Sequence, residues 1–156
     1  ANYFFRKPFQ FTDCKQCVEN ILTHRRNIVE NHQKAKVLIV DDDTFNRQVL
    51  QKQIERLGLA CETSSNGVGA VKKLKEDREF NVVIMDYEMP DMNGVEATIK
   101  IRKELKLNDV CIIGVTGNTG NQTEKKMIQS GMDHVVSKPV SLDQISSLLK
   151  DLKVVE

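Results

Sequence analysis

The chain has 156 residues, 40% of them hydrophobic, and a formal net charge of +1. This length suits one domain with an additional segment, and the hydrophobic content is sufficient for a core of that size. The balanced charge implies neither a strongly basic surface for nucleic acid nor a polybasic membrane anchor, although it is compatible with a local basic patch. No run approaches the roughly 18 apolar residues of a membrane span. We therefore expect a cytoplasmic domain that binds neither nucleic acid nor membrane.

The first 35 residues partly repeat the end of the chain. Residues 4–11 match residues 135–142 in register, and each stretch contains a Lys-Pro pair. Apolar residues then keep a helical spacing almost to Gln33. We expect residues 1–35 to be the C-terminal remnant of a preceding copy of the same domain plus a long linker helix. An unrelated amphipathic lead helix is the alternative.

From Lys36 onward, short apolar runs alternate with longer stretches of helical periodicity. The runs lie near residues 36–40, 59–63, 81–85, 110–115 and 133–136. Such alternation predicts an α/β fold in which five parallel strands form one doubly wound sheet with helices on both faces.

Capping residues predict where the helices begin and end. Side chains suited to an N-cap precede four helical stretches, at Asp43 or Thr44, Asn66, Asn93 and Ser141. Gly58 and Gly131 are predicted C-terminal stops. The first helix is expected to bury a stripe of apolar residues, Val49, Leu50, Ile54 and Leu57. Residues 119–130 have a thin apolar stripe and predict a weak helix.

Reactive polar residues follow four of the apolar runs, where each strand would end. Asp41 and Asp42 follow the first run, and Asp86 follows the third. Thr116 follows the fourth run, and Lys138 comes after the last. Ligands bind beyond the carboxyl ends of parallel strands in open α/β sheets, so we expect these side chains to converge on one site.

The residue types in this predicted site indicate phosphoryl chemistry. Two carboxylates about 4 Å apart repel each other by about 4 kcal/mol at an effective dielectric near 20, so the acids need a cation. Oxygen ligands favour Mg²⁺, and Mn²⁺ is a possible substitute. Asp41 and Asp42 would then bind the metal, while Asp86 attacks the phosphoryl group in line. Lys138 and Thr116 would contact the remaining phosphoryl oxygens.

At these residues the chain resembles the response-regulator receiver domain of two-component signalling. The match covers nearly all of residues 36–152 and depends on four motifs, Val40-Asp41-Asp42, residues 85–94, Val115-Thr116-Gly117 and Ser137-Lys138-Pro139. The resemblance implies a receiver domain over residues 36–156 with a flavodoxin-like fold and a cis bond before Pro139. It also implies phosphoryl transfer from a phosphohistidine to Asp86, with Mg²⁺ bound by Asp41, Asp42, Asp86 and the backbone carbonyl of Glu88.

The same resemblance implies a conformational switch, with one departure from the family pattern. Phosphorylation would pull Thr116 and its loop inward, and in many receivers an aromatic residue three positions before the lysine follows that movement. Val135 occupies this position here, so the usual rotamer switch is in doubt. His134 is expected at the surface rather than as a replacement. Glu88 and Asn118 flank the phosphoryl site in the family pattern.

Several functions are compatible with these motifs. We expect the terminal receiver of a hybrid histidine kinase in a phosphorelay, with a histidine phosphotransfer domain or a histidine kinase as partner and a possible homodimer through the N-terminal segment. A stand-alone tandem-receiver response regulator is the alternative. A haloacid dehalogenase-type hydrolase is disfavoured because that class usually needs an aspartate where Glu88 stands. A receiver-shaped module that accepts no phosphate is disfavoured by the intact motifs. Apart from its own phosphorylation and dephosphorylation, the fragment is not expected to turn over a substrate.

Overall fold

The computed structural model describes residues 35–118 and 120–151. Strands and helices alternate in the order β1 Lys36–Val40, α1 Thr44–Arg56, β2 Ala60–Ser64, α2 Gly67–Glu76, β3 Val82–Asp86, α3 Gly94–Ile99, β4 Cys111–Thr116, α4 Asn121–Ser130, β5 His134–Ser137 and α5 Leu142–Asp151. A π-helical turn, Lys100–Glu104, continues α3. The predicted remnant and linker helix fall almost wholly on residues outside the described ranges.

The strands form one parallel sheet in the order β2-β1-β3-β4-β5, which confirms the predicted α/β fold. The chain moves outward from β1 to β2 and then crosses to β3 on the other side of β1. The strand order therefore reverses between β1 and β3, and a crevice is expected there at the carboxyl ends of the strands.

Helices cover both faces of the sheet, and each face has its own core. On β1, Val37 and Ile39 point to a core shared with α1 and α5, whereas Leu38 and Val40 point to a core shared with α2, α3 and α4. This alternation follows from the two-residue period of a strand. Most side chains of the inner strands are apolar because both of their faces are buried, which explains the continuous hydrophobic runs in the sequence. Within the described ranges, no helix is long and apolar enough to cross a membrane.

The predicted helix ends are confirmed. The side chain of Asp43 accepts a hydrogen bond from Asn46 N at 3.0 Å, and Asn93 forms a capping box with Glu96. Gly131 ends α4 with φ of 117°, a conformation that favours glycine. The stripe of α1 was predicted too broadly. Leu50 and Ile54 are buried, but Val49 is 37% exposed because it lies about 100° around the helix from Leu50.

His134 is buried, so the prediction that it lies at the surface is wrong. It is 3% exposed and pairs with Ile113 of β4 in the sheet register. Val136, two positions later, belongs to the core under α1 and α5, so His134 points to the same face. Burial lowers the pKa of His134 to about 4, and the side chain is therefore neutral at physiological pH.

A buried arginine joins the amino ends of β4 and β5, opposite the end where the predicted site residues lie. Arg102, in the π-helical turn, donates to the carbonyls of Leu107 and Val110 at 2.7 Å and of Gly131 at 2.9 Å. Its guanidinium also pairs with Asp133 at 2.8 Å, and these side chains are 9% and 1% exposed. The Asp133 carboxylate accepts a further bond from a backbone N–H of β4. These contacts hold the end of α3 against the turn that follows α4.

Candidate functional site

The carboxyl ends of four strands bring the predicted site residues together. Asp86 is the last residue of β3, and Asp41 directly follows β1. Val40, the final residue of β1, pairs with Met85 of β3, so Asp41 and Asp86 lie side by side. One carboxylate oxygen from each of Asp41, Asp42 and Asp86 lies within 4.8 Å of the other two. Lys138 Nζ lies 2.9 Å from Asp86 Oδ1. Three acids and an ammonium group therefore form a single cluster.

The carboxylate of Asp86 is at the centre of this cluster and is 2% exposed. Burial raises its pKa to about 6; the ion pair with Lys138 opposes this rise, and the negative charge of Asp41 adds to it. Asp86 Oδ1 is engaged by Lys138 in this ion pair, whereas within the described ranges Oδ2 has no hydrogen-bond partner. Buried acceptors without donors are uncommon and point to a bound cation or ligand.

Asp41 is held by its neighbours in the orientation that faces Asp86. It is 5% exposed, and its Oδ1 accepts a hydrogen bond from Asp43 N at 2.9 Å. Its backbone carbonyl accepts from Arg47 Nη1 at 2.7 Å. Burial raises the pKa of Asp41, although the Asp43 hydrogen bond and the charge of Lys138 oppose this effect. The second oxygen of Asp41 remains available for a cation.

Asp42 and Glu88 lie at the exposed rim of the cluster. The loop that contains Glu88 is anchored on both sides, because Tyr87 N donates to Val115 O at 2.8 Å and Gly94 N donates to Tyr87 O at 2.9 Å. These bonds fix the backbone next to Glu88, whose carbonyl is the fourth predicted metal ligand. That ligand role stays a prediction.

Lys138 reaches the acids from the loop after β5. Its peptide bond to Pro139 is cis, as the family resemblance implied, and its backbone N donates to Thr116 O at 2.8 Å. Burial alone would lower the pKa of Lys138, but the negative charges of Asp86, Asp41 and other nearby acids raise it overall. The side chain therefore stays positively charged beside the acids.

Thr116 ends β4 near the cluster and is 1% exposed. Its hydroxyl accepts a hydrogen bond from Asn118 N at 3.0 Å and donates to Asn118 O at 3.3 Å. The hydroxyl is thus bonded within its own loop in this structure. A phosphoryl oxygen at Asp86 would compete with the Asn118 carbonyl for this donor.

Gly94 allows the start of α3 to approach the end of β3. A Cβ atom at this position would lie 3.0 Å from Tyr87 Cα and would overlap the carbonyl oxygen of Asp86. Such contacts are with backbone and cannot be relieved by a side-chain rotation. Gly94 is therefore needed to bring the β3–α3 loop beside Asp86, a role that the sequence analysis did not assign.

A cavity of about 390 Å³ opens from the carboxylates toward α1. Asp86, Asp41 and Lys138 line its polar end, and its apolar wall includes Phe45, Val49, Leu50, Pro139 and Val140. Phe45 is 71% exposed and Val49 is 37% exposed. This apolar wall was not predicted from the sequence. A second apolar stripe on α1, formed by residues four positions apart, was the available signal.

Comparisons with known proteins agree with this geometry. A family profile described as the response regulator receiver domain matches residues 37–150. The sensor histidine kinase RcsC of Escherichia coli K12 is 36% identical over 130 residues, which are 83% of this chain and 13% of RcsC. The chain thus spans a small part of the length of this relative.

Two solved structures share the fold. The receiver domain of Saccharomyces cerevisiae Ssk1, crystallised with the histidine phosphotransfer protein Ypd1, is 27% identical with a TM-score of 0.71, covering 76% of this chain and 88% of that chain. The receiver domain of the histidine kinase CKI1 from Arabidopsis thaliana, complexed with Mg²⁺ and BeF₃⁻, is 31% identical with a TM-score of 0.68, covering 76% and 89%.

The profile match, the identity with a sensor kinase and the shared fold lead to one assignment. This chain belongs to the response regulator receiver domain family of two-component signalling.

Proposed function

We propose that this domain takes a phosphoryl group from a phosphohistidine onto Asp86 and then changes the surface that it presents to a partner. One observation carries the proposal: the buried Asp86 carboxylate, with Oδ1 paired to Lys138 and Oδ2 without a hydrogen-bond partner among the described residues, lies beside Asp41 and Asp42 at the end of the central strand. An acid in this setting is costly to ionise unless something binds it. Capture of a positively polarised phosphorus atom uses the carboxylate as the nucleophile.

In the proposed step, an Asp86 oxygen forms a bond to phosphorus while the phosphorus–nitrogen bond of the donor breaks. The imidazole nitrogen leaves with the electron pair of that bond, and the product is an acyl phosphate on Asp86. The carboxylate must be ionised to attack, and a bound cation would favour the ionised form that burial alone disfavours. Lys138 would move from the carboxylate to a phosphoryl oxygen, and Thr116 would donate to another.

A divalent cation fits the donor set of this site. The proposed ligands are the carboxylates of Asp41, Asp42 and Asp86 and the carbonyl of Glu88, which are the hard oxygen donors that Mg²⁺ and Mn²⁺ prefer. When bound, the ion would neutralise the acids and hold phosphoryl oxygens. The unpartnered Oδ2 of Asp86 and the Mg²⁺ complex of the CKI1 receiver support this assignment.

The proposed phosphoryl donor is a histidine phosphotransfer domain or a histidine kinase. The Ssk1 receiver, crystallised with Ypd1, supports this class of partner. Phe45 and Val49 stand exposed beside the opening of the cavity and would contact the donor protein. Apolar side chains exposed next to a reactive group are typical of a transient docking surface.

For the parent protein, we propose a hybrid histidine kinase in a phosphorelay, with residues 36–156 as its terminal receiver and residues 1–35 as the remnant and linker. The identity with RcsC supports this proposal. A kinase ATP-binding domain in the full-length gene product would distinguish it from a stand-alone tandem-receiver regulator. The proposed homodimer through the N-terminal segment predicts a lower mass in solution after removal of residues 1–33 than the deletion itself explains.

The phosphoacceptor is tested by transfer from a phosphorylated histidine phosphotransfer protein in the presence of Mg²⁺. We expect the wild-type domain to acquire an alkali-labile phosphoryl group, and the Asp86→Asn variant or chelation of the metal to abolish it. Asp91→Asn is the matched control, because Asp91 is exposed in the following loop and its φ of 68° suits asparagine. Labelling of the Asp86→Asn variant would overturn the assignment.

The docking surface is tested separately with two donors. Phe45→Ala should slow transfer from the phosphotransfer protein and leave the reaction with acetyl phosphate unchanged, since the small donor needs no protein contact. Val68→Ala is the control, because Val68 is 55% exposed on α2, away from the cavity. Equal losses with both donors would contradict a docking role for Phe45.

A further inference from the structure

Few contacts fix helix α4 to the sheet. Met127 is the only buried residue among Asn121–Ser130, all of which the structure describes. The N-cap position is Gly120, which has no side chain to bond the first turn. The C-terminal end is better fixed, because Gly131 N donates to Ile128 O at 3.0 Å. Met127 is therefore the main buried contact of α4 with the sheet, and the partly buried Ile128 packs against the same core.

Met127 and Met132 pack over a strand position that has no side chain. A Cβ atom added to Gly114 of β4 would lie 2.6 Å from Met127 Cε and would overlap Met132 Sδ. Both methionines are fully buried. Gly114 thus provides the space in which the ends of two flexible side chains meet the sheet.

On the neighbouring strand β5, the side chain beside Gly114 has little freedom to rotate. Val135 of β5 pairs with Gly114 and is fully buried. Valine is branched at Cβ and strongly prefers one rotamer, whereas methionine has three rotatable side-chain bonds and fits several packing arrangements. On this face of the sheet, the two methionines can therefore change their packing more readily than Val135 can.

Gly114 is linked directly to the reactive end of the sheet. Thr116 is two positions further along β4, so both residues point to the face covered by α2, α3 and α4. The Thr116 hydroxyl is bonded to Asn118, in the loop that leads to α4. A phosphoryl group on Asp86 adds acceptor oxygens that would draw this hydroxyl away from that loop.

We propose that Met127 and Met132, packed on Gly114, form a sliding contact through which α4 changes position when Asp86 is phosphorylated. The inference depends on the proposed function of Asp86. The two thioether side chains would change rotamer as the end of β4 moves, and α4 would follow through Met127. In this chain the methionines thereby replace the rotation of an aromatic side chain at the position of Val135.

Methyl NMR of methionine-labelled domain with Mg²⁺ and beryllofluoride, a mimic of the phosphoryl group, tests the proposal. A fluorine signal from bound beryllofluoride, absent in Asp86→Asn, reports occupation of the site. We expect the methyl resonances of Met127 and Met132 and the backbone amides of α4 to shift when this signal appears. A bound signal with unchanged Met127 and Met132 resonances would overturn the sliding contact and leave the proposed function intact. No bound signal in the wild type would overturn both.

Two variants test whether the contact transmits the change. Gly114→Ala fills the space under the methionines, and Met127→Leu keeps similar volume but replaces a flexible side chain by a branched one. Both should bind beryllofluoride and lose the shift of the α4 amides. If Gly114→Ala does not fold, Met127→Leu decides the matter. Full shifts of the α4 amides in the folded variants would refute the proposal.

Discussion

Replacing Asp86 with asparagine should stabilise the metal-free domain. The ionised carboxylate is 2% exposed and lies beside Asp41 and Asp42, and burial together with the nearby negative charges raises its pKa from 3.8 to about 6. Asparagine has nearly the same shape and carries no charge. The shift of about 2 pKa units corresponds to about 3 kcal/mol of unfolding free energy, since one unit equals about 1.4 kcal/mol.

The extra unfolding free energy of Asp86→Asn over the wild type should increase with pH. Between the unfolded and folded pKa values the native wild-type domain binds more protons than the unfolded chain, so its stability falls as pH rises from about 4 to about 6. Asp86→Asn has no carboxyl group at this position, so its stability should not fall in this way. The variant should therefore exceed the wild type by about 3 kcal/mol near pH 8 and by only about 1 kcal/mol near pH 4.5.

Urea unfolding in the presence of a chelator measures this difference. Far-UV circular dichroism is the suitable signal because the chain contains no tryptophan. Asp91→Asn, at an exposed position, should match the wild type throughout. Saturating Mg²⁺ should reduce or reverse the advantage of Asp86→Asn, because the ion stabilises the native state that binds it more tightly. Equal stability of the two proteins at pH 8 without metal would refute the electrostatic account of Asp86.

Three other substitutions have expected outcomes. Lys138→Met should tighten Mg²⁺ binding by up to about tenfold in calorimetry, because it removes a cation that competes for Asp86. The same variant should be phosphorylated more slowly, because it lacks the proposed contact to a phosphoryl oxygen. Weaker Mg²⁺ binding would contradict this account. Gly94→Ala should lower the unfolding free energy by about 1–3 kcal/mol, since its Cβ meets backbone, and an unchanged urea midpoint would argue against that overlap. Arg102→Met should cost about 3–5 kcal/mol by leaving Asp133 charged and buried, and Arg102→Met with Asp133→Asn should recover part of this loss in the same assay.

Much of the fold was predictable because strands and caps leave local signals. The strand runs and the N-caps at Asp43 and Asn93 were found within one residue of their positions in the structure. The clustering of Asp41, Asp86 and Lys138 was also predictable, since parallel strands place their carboxyl ends at one edge. That prediction needed topology but no side-chain detail.

Other features depend on packing between distant residues and leave no local signal. The Arg102–Asp133 ion pair joins positions 31 residues apart, and only the fold reveals that both are buried. His134 was placed wrongly because a polar residue at a strand start reads as exposed, although β5 is covered from its first residue. Val49 is exposed because it lies about 100° around α1 from Leu50, and only the fold shows which of these two neighbours faces the core.

Asp86, the proposed acceptor, ends the middle strand of the sheet, which is hydrogen-bonded to β1 on one side and β4 on the other. Backbone in such a position opens least often, so the modified residue itself should hardly move. Displacement is consequently left to the flanking loops and the outer helices. The proposed reaction would thus occur at a rigid position in the sheet, and the surface change that follows it would occur in the loops and outer helices.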